Sequence, residues 1–294
     1  MRNTTEQNVT GLALERFGTC PDARLRQVVI SLVKHLHGFI REVEPTEAEW
    51  MAGIQFLTSV GQMSDEKRQE FILMSDVLGV SILVDAINHR LPDAATPSTV
   101  VGPFHIHDSP DFDSGANMAK GAPGTPLVLT GIVRALDGTP IPNALVDVWQ
   151  PDGEGIYEAQ KPGQEGAYLR GVYRTDKDGR YSVRTVAPIG YTIPLDGPVG
   201  HLVTRTGISP YRPTHVHFDV SADGFSSVIT HIFRNGVAHL DDDVVFAVKD
   251  RLVVDFIEHK PGVAPNGERI DVPYCTANFD FVLAPARQAA AVAS

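Results

Sequence analysis

The chain has 294 residues, 43% of them hydrophobic, and a formal net charge of −11 from 25 basic and 36 acidic side chains. That suits one large globular domain, or a core domain with a smaller helical one. No basic run carries interleaved aromatics, so nucleic acid is not an expected partner. The two cysteines, Cys20 and Cys275, build neither a disulfide framework nor a cysteine-based zinc site.

The first residues, MRNTTEQNVTGLALERFG, lack the apolar core of a signal peptide, and no run is long enough to span a bilayer. A soluble, cytoplasmic protein is the expectation. Residues 22–91 read as helical. Leu25, Val28, Val29, Leu32, Val33, Leu36, Phe39 and Ile40 form a stripe at helical spacing. Thr46 followed by Glu49 is a capping-box pattern, which predicts a second helix start. Ser64-Asp65-Glu66 opens a third helical region that runs to Pro92 with a break near Gly79.

Residues 93–126 are rich in Pro, Gly, Ser and Asp and read as an extended connection. A connection this long inside a compact chain is usually functional. From Leu127 the period becomes two. LVLTGIVRALDGTPIPNALVDVW holds two strands joined across Asp137-Gly138, and Asp-Gly recurs at 152, 178, 196 and 223 as turn sites. GRYSVRTVAP, PTHVHFDVSA, SSVITHIFRN and ANFDFVLAP add further strands. Residues 241–257 hold a short helix and a strand. The fold class expected is mainly β with an α-helical N-terminal region: a β-sandwich core preceded by a helical domain. The divisions are 1–95 helical, 96–126 connecting, 127–285 sandwich and 286–294 a flexible tail.

YRPTHVHFDV, residues 211–220, sets Arg212, His215 and His217 in an apolar run. On a strand, residues two apart share a face with Cα atoms roughly 6–7 Å apart. Two imidazoles so placed reach one ion at about 2.0–2.1 Å. The same spacing also occurs on an ordinary polar face of a sheet. His105-Ile106-His107 repeats it beside Asp108 in the Pro-rich connection, whereas His35 and His37 on a helix diverge. Tyr157 and Tyr191 each follow a strand end, where loops carry function, yet either one alone also reads as a core or interface residue.

In order along the chain, DVWQPDGEGIY, RTDKDGRYSVRTVAPIGYTIP and RPTHVHF resemble the intradiol ring-cleaving dioxygenases, non-haem ferric enzymes of aromatic catabolism. The likeness covers roughly residues 97–260, and the helical N-terminus resembles the branch of catechol and hydroxyquinol 1,2-dioxygenases. The resemblance implies one Fe(3+) per chain, held by Tyr157, Tyr191, His215 and His217. It implies that Tyr191 leaves the metal to hold a substrate proton, and that Arg212 is the active-site arginine. It further implies a homodimer through the N-terminal helices with phospholipid at its interface. The chemistry agrees with the donor set. Ferric iron is hard and favours anionic oxygen, and a trivalent ion lowers a tyrosine pKa that is ordinarily near 10. Arg212, permanently charged, suits negative charge developing on the ring, the alternative being an ion pair with a carboxylate such as Asp219.

The resemblance also implies a pocket wall from VVGPF, hence Val101, Gly102, Pro103 and Phe104, and from Leu73 and Asp76 of FILMSDVLG. Asp76 resembles hydroxyquinol enzymes, where catechol enzymes tend to carry proline, and a carboxylate suits a third ring hydroxyl. His231, where catechol enzymes usually have glutamine, points the same way, as do IPLDGPVG and FAVKDRLVVDF. Asp76 equally reads as a solvated helix residue and His231 as a satisfied strand histidine. The expected reaction is cleavage of 1,2,4-trihydroxybenzene by dioxygen to 3-hydroxy-cis,cis-muconate, the enol form of maleylacetate. The alternatives are a catechol or chlorocatechol 1,2-dioxygenase, a non-catalytic β-sandwich binding module, and a zinc hydrolase.

Overall fold

The structure is a computed structural model that describes residues 2–65, 68–106, 108–119, 121–161, 163 and 167–286. Expectations resting on Glu66, His107 or most of the C-terminal tail therefore lie outside the described residues. The chain divides into two compact units, Met1–Thr58 and Ser59–Ser294.

In the first unit, α1 (Val9–Gly18) packs on α2 (Ala23–Val43). Thr10 Oγ1 lies 2.9 Å from His37 Nδ1 and accepts from Arg41 at 2.7 Å. Asp22 caps α2 by accepting the Leu25 N–H at 2.9 Å. The apolar stripe read from the sequence falls on α2, but Leu25, Val28, Leu32, Leu36 and Phe39 stay exposed. The next helix, α3, spans Glu47–Met63. Its capping box is formed as expected: Glu49 N–H donates to Thr46 Oγ1 at 3.2 Å, and Thr46 N–H to Glu49 Oε2 at 2.8 Å.

In the second unit, α4 (Glu70–Val77) and α5 (Val80–Asn88) are separated at Gly79, whose φ of +71° only glycine adopts freely. This is the break expected there. The strands follow: β1 (Pro126–Ala135), β2 (Leu145–Trp149), β3 (Arg170–Arg174), β4 (Arg180–Val186) and β5 (Tyr191–Thr192). After α6 (Pro198–Thr206) come β6 (Tyr211–Arg212), β7 (His215–Ser221), β8 (Val228–Arg234) and β9 (Val253–Val254). The last are β10 (Ile257–His259), β11 (Gly262–Val263), β12 (Arg269–Ile270), β13 (Tyr274–Asn278) and β14 (Phe281–Leu283).

Two five-stranded sheets form the sandwich. One runs β10-β13-β1-β14 with β4 also paired to β1; the other runs β3-β2-β7-β8-β9. Leu127, Leu129 and Val133 of β1 share one apolar core with Val146 and Val148 of β2 and with Val216, Phe218 and Val220 of β7. Because the strand period is two, putting Val216 and Phe218 in this core turns His215 and His217 to the other face.

The connections differ from the reading in two places. Asp137-Gly138 does join β1 to β2, but not as a hairpin, since the two strands lie in opposite sheets. Its turn folds Pro140 back against Arg134, and the chain then crosses the sandwich. The hairpin is at Asp223-Gly224, where β7 pairs antiparallel with β8. Residues 193–206 contain α6, with Pro198 in its first turn and Gly207 ending it in the left-handed region. That helix was not anticipated, because its apolar positions are few.

Candidate metal and ring-binding centre

Different elements deliver each polar group to one buried place. β7 lies inside its sheet, between β2 and β8, so backbone pairing on both edges holds His215 and His217. His215 Nδ1–H donates to Pro213 O at 2.7 Å, which leaves its Nε2 lone pair facing the centre. His217 packs between Trp149, stacked at 4.8 Å with a 17° interplanar angle, and Gly102. A Cβ added at Gly102 would sit 3.5 Å from His217 Cε1.

Tyr157 arrives on the loop after β2. Asp152 Oδ1 accepts Glu154 N–H at 2.9 Å and Ile156 N–H at 3.0 Å, and Phe104 stacks on the Tyr157 ring at 4.3 Å. Tyr191 arrives on β5, where its register partner is Arg212 on β6. The two tyrosine loops meet at Gly155, φ +81°, where an added Cβ would come within 3.0 Å of Tyr191 Cβ. Gln150 ties the strands behind them, donating to Val186 O at 2.8 Å and accepting from Thr185 Oγ1 at 3.1 Å.

Four donor atoms converge. Tyr157 Oη is 2.9 Å from His217 Nε2, 3.4 Å from His215 Nε2 and 3.2 Å from Tyr191 Oη, and the two Nε2 atoms are 3.2 Å apart. Ligand atoms about 2.0–2.1 Å from one ion and at right angles are about 2.9 Å apart. Four atoms so spaced could surround one ion, and two phenols with two imidazoles fit a hard trivalent one. Burial, aided by the Arg212 charge, holds His215 and His217 well below the ordinary imidazole pKa, so both are neutral and able to ligate. Burial raises Tyr157 well above 10, with Tyr191 adding to it and Arg212 opposing. Tyr191 is raised by the same burial against the same arginine. Only a cation among them would bring these phenols to the anionic form.

Arg212 is buried with its Nε 3.2 Å from Asp243 Oδ1 and its Nη1 3.2 Å from His215 Nε2, while among the described residues Nη2 has no hydrogen-bond partner of good geometry. Its ion-pair partner is therefore Asp243 and not Asp219, which sits on β7 opposite Asp147. Asp243 was missed because it closes the run Asp241-Asp242-Asp243, which reads as solvated acid. Trp149 was missed as the wall of His217, though its place three residues before Asp152 could have suggested it.

The expected pocket residues fall along two cavities. Leu73, Pro103 and Phe104 line one of about 320 Å³, with Arg68, Gln160 and Asp196 at its edge. Asp76, Val101 and Gly102 line another of about 380 Å³ with Thr99 and Ser81. Asp76 is not solvated but buried, and neither carboxylate oxygen has a hydrogen-bond partner of good geometry. Burial pushes its pKa up to about 6, against Ser81 and Arg212. His231 is fully buried opposite His217 across the β7–β8 ladder. His105 does not join the cluster: it packs edge-on against Trp149 at 4.5 Å, with Asp147 3.7 Å from its Nε2.

A β-sandwich with a tyrosine- and histidine-lined centre of this kind is the arrangement expected of a ring-cleaving dioxygenase. Residues 100–285 match the family model described as a dioxygenase, and residues 22–96 match that of the catechol dioxygenase N terminus. The chain belongs to the intradiol ring-cleaving dioxygenase family. It is 45% identical over 285 residues to a 6-chlorohydroxyquinol 1,2-dioxygenase of Cupriavidus pinatubonensis, covering 97% of this chain and 99% of that one. Among solved structures it is similar to a hydroxyquinol 1,2-dioxygenase from Pseudomonas putida DLL-E4, at 43% identity and a TM-score of 0.88, covering 96% and 99% of the two chains. A catechol 1,2-dioxygenase from Acinetobacter sp. ADP1 superposes with a TM-score of 0.84 at 29% identity, covering 96% and 94%. Among the described residues, no helix is long and apolar enough to cross a membrane.

Proposed function

We propose that this chain cleaves the ring of hydroxyquinol between its two adjacent hydroxyl-bearing carbons, consuming dioxygen and giving 3-hydroxy-cis,cis-muconate. The observation that carries it is the meeting of Tyr157, Tyr191, His215 and His217 at 2.9–3.4 Å around one buried point. Those four side chains would hold one ferric ion. An ion held by them would supply Lewis acidity that draws electron density from the deprotonated diol, leaving ring carbon open to dioxygen.

The protein's own groups do the rest. Tyr191, half-buried on a two-residue strand, takes a proton from a diol hydroxyl at its Oη. Arg212, anchored by Asp243, stabilises negative charge as it grows on the ring oxygens, and its unpartnered Nη2 is the free donor for that. Leu73, Pro103 and Phe104 give the ring an apolar wall. Asp76 accepts a hydrogen bond from the third hydroxyl, which catechol lacks, and the buried carboxylate is left unpaired when catechol binds. The identity to hydroxyquinol-named relatives over nearly the whole chain supports the same substrate.

The exposed stripe on α2 supports a homodimer in which a second copy covers Leu25, Val28, Leu32, Leu36 and Phe39, with phospholipid filling apolar gaps. Oxygen uptake by the iron-loaded protein on hydroxyquinol and catechol, with product identification, tests the reaction. A higher kcat/KM for catechol would replace hydroxyquinol as the substrate, and a colourless protein that takes up no iron would end the metal assignment.

A further inference from the structure

His231 has two nitrogens with different fates. Nδ1 meets the hydroxyl of Thr99, whereas Nε2 is buried with no hydrogen-bond partner. The ring lies 4.1 Å from that of His217 and 5.0 Å from that of His215, centroid to centroid. One nitrogen from each of the three histidines lies within 4.8 Å of the others. The imidazole therefore packs against both of those rings, and among the described residues its Nε2 has no partner.

Thr99 comes from the extended segment after α5 and is buried, its backbone N–H donating to Ile229 O at 2.8 Å. A threonine hydroxyl carries one proton, and a neutral imidazole carries one. If the Thr99 hydroxyl donates to Nδ1, the hydroxyl and Nδ1 are both satisfied, and the imidazole proton sits on Nε2, where only a bound ligand can accept it. If Nδ1–H donated instead, the Thr99 proton would need another acceptor, and among the described residues its hydroxyl makes no other hydrogen bond. The Nε2 lone pair would then also face the lone pairs of any oxygen bound beside His217.

We propose that Thr99 is a positioning residue for ring cleavage: its hydroxyl fixes His231 as the Nε2–H tautomer, which presents a neutral donor to an oxygen of the bound diol. The role rests on the ring-cleavage reading above; the tautomer does not. A donor of this kind strengthens as negative charge builds on the oxygen it faces, and it is already in place when the charge appears.

Two measurements test it. In metal-free protein labelled with 15N-histidine, long-range 1H–15N spectra, with His231→Gln as the assignment control, are expected to show the Nε2–H tautomer. Thr99→Val should give a mixture of the two tautomers. In iron-loaded protein, Thr99→Val should lower kcat about tenfold, the scale of one neutral hydrogen bond. It should leave the resting colour unchanged and move the absorption of the anaerobic diol complex to longer wavelength. Thr99→Ser should restore both. A purely structural threonine would lower the melting temperature and move neither kcat nor that spectrum.

An Nδ1–H tautomer in the native protein overturns the proposal, as does a Thr99→Val enzyme with native kcat and native diol-complex absorption. An Nε2–H tautomer in a protein that cleaves no diol would instead sink the ring-cleavage reading, leaving Thr99 as the residue that sets the tautomer.

Discussion

The histidines and the tyrosines reach the same point by opposite routes. His215 and His217 share one strand, locked on both edges by β2 and β8, and their Nε2 atoms are 3.2 Å apart through strand geometry. Tyr157 and Tyr191 sit on separate loops, 34 residues apart in sequence, and meet at 3.2 Å because Asp152, Gly155 and the β5–β6 pair shape those loops. A strand presents a fixed pair of donors. Loops present donors that can shift, which suits the proposed role of Tyr191 in taking a substrate proton.

The largest effect should follow from breaking the rigid half. His217→Ala removes one nitrogen donor and the ring stacked on Trp149. Loss of groups that merely support metal ligands costs about 10–100-fold in affinity or activity. Loss of the donor itself should exceed that, so metal analysis should find the variant nearly iron-free and ring cleavage should fall below detection. On the loop half, Tyr157→Phe keeps the Phe104 stack and loses the phenolate. Three donors remain, so iron should be retained in part while the visible absorption of the resting protein weakens and shifts. An unchanged absorption spectrum would remove Tyr157 from the donor set.

That contrast also governs what could be read from sequence. Period-two alternation put His215 and His217 on one face before any fold was known, since Val216 and Phe218 had to enter the core. The Thr46–Glu49 cap and the Gly79 break were equally legible, because each depends on residues within one helical turn. Sheet membership was not. Asp137-Gly138 looks like a hairpin turn, but whether the chain turns within a sheet or crosses between sheets depends on strands far along the sequence. Arg212 was visible; its partner Asp243, 31 residues on, was hidden in an acidic run. Tyr157 and Tyr191 could be noticed for following strand ends, but that alone also fits core or interface residues, and only the resemblance joined them to the histidines.

Asp76→Asn sharpens the comparison at the pocket wall, where a buried carboxylate faces neither strand nor loop donors. Its folded pKa of about 6 stands above the ordinary 3.8 because of burial. Between pH 4 and 6 the folded protein holds a proton that the unfolded chain releases, so stability falls as pH rises across that window and stays lowered above it. Asn removes that cost. The variant should gain up to about 3 kcal/mol at pH 7.5 and much less at pH 4, read from urea unfolding at both values. It should also lose preference for hydroxyquinol over catechol, by about tenfold for one hydrogen bond to a charged acceptor. Equal stability gains at the two pH values would show that Asp76 is not the group titrating.

The smallest effect should come from a tyrosine that supports the loop half without facing the centre. Tyr168 Oη donates to Asp152 Oδ2 at 3.0 Å, and Lys161 Nζ reaches the same carboxylate at 2.8 Å. Tyr168→Phe removes one of several donors to Asp152, whose Oδ1 still accepts the two backbone N–H groups that shape the Tyr157 loop. The expected cost is about 0.5–1.5 kcal/mol of stability, with iron content, colour and kcat as in the native protein. A change in colour would mean that the loop donor is held as tightly as the strand donors, with strain at Asp152 transmitted to Tyr157 Oη. The distinction between a rigid pair and an adjustable pair would then fail.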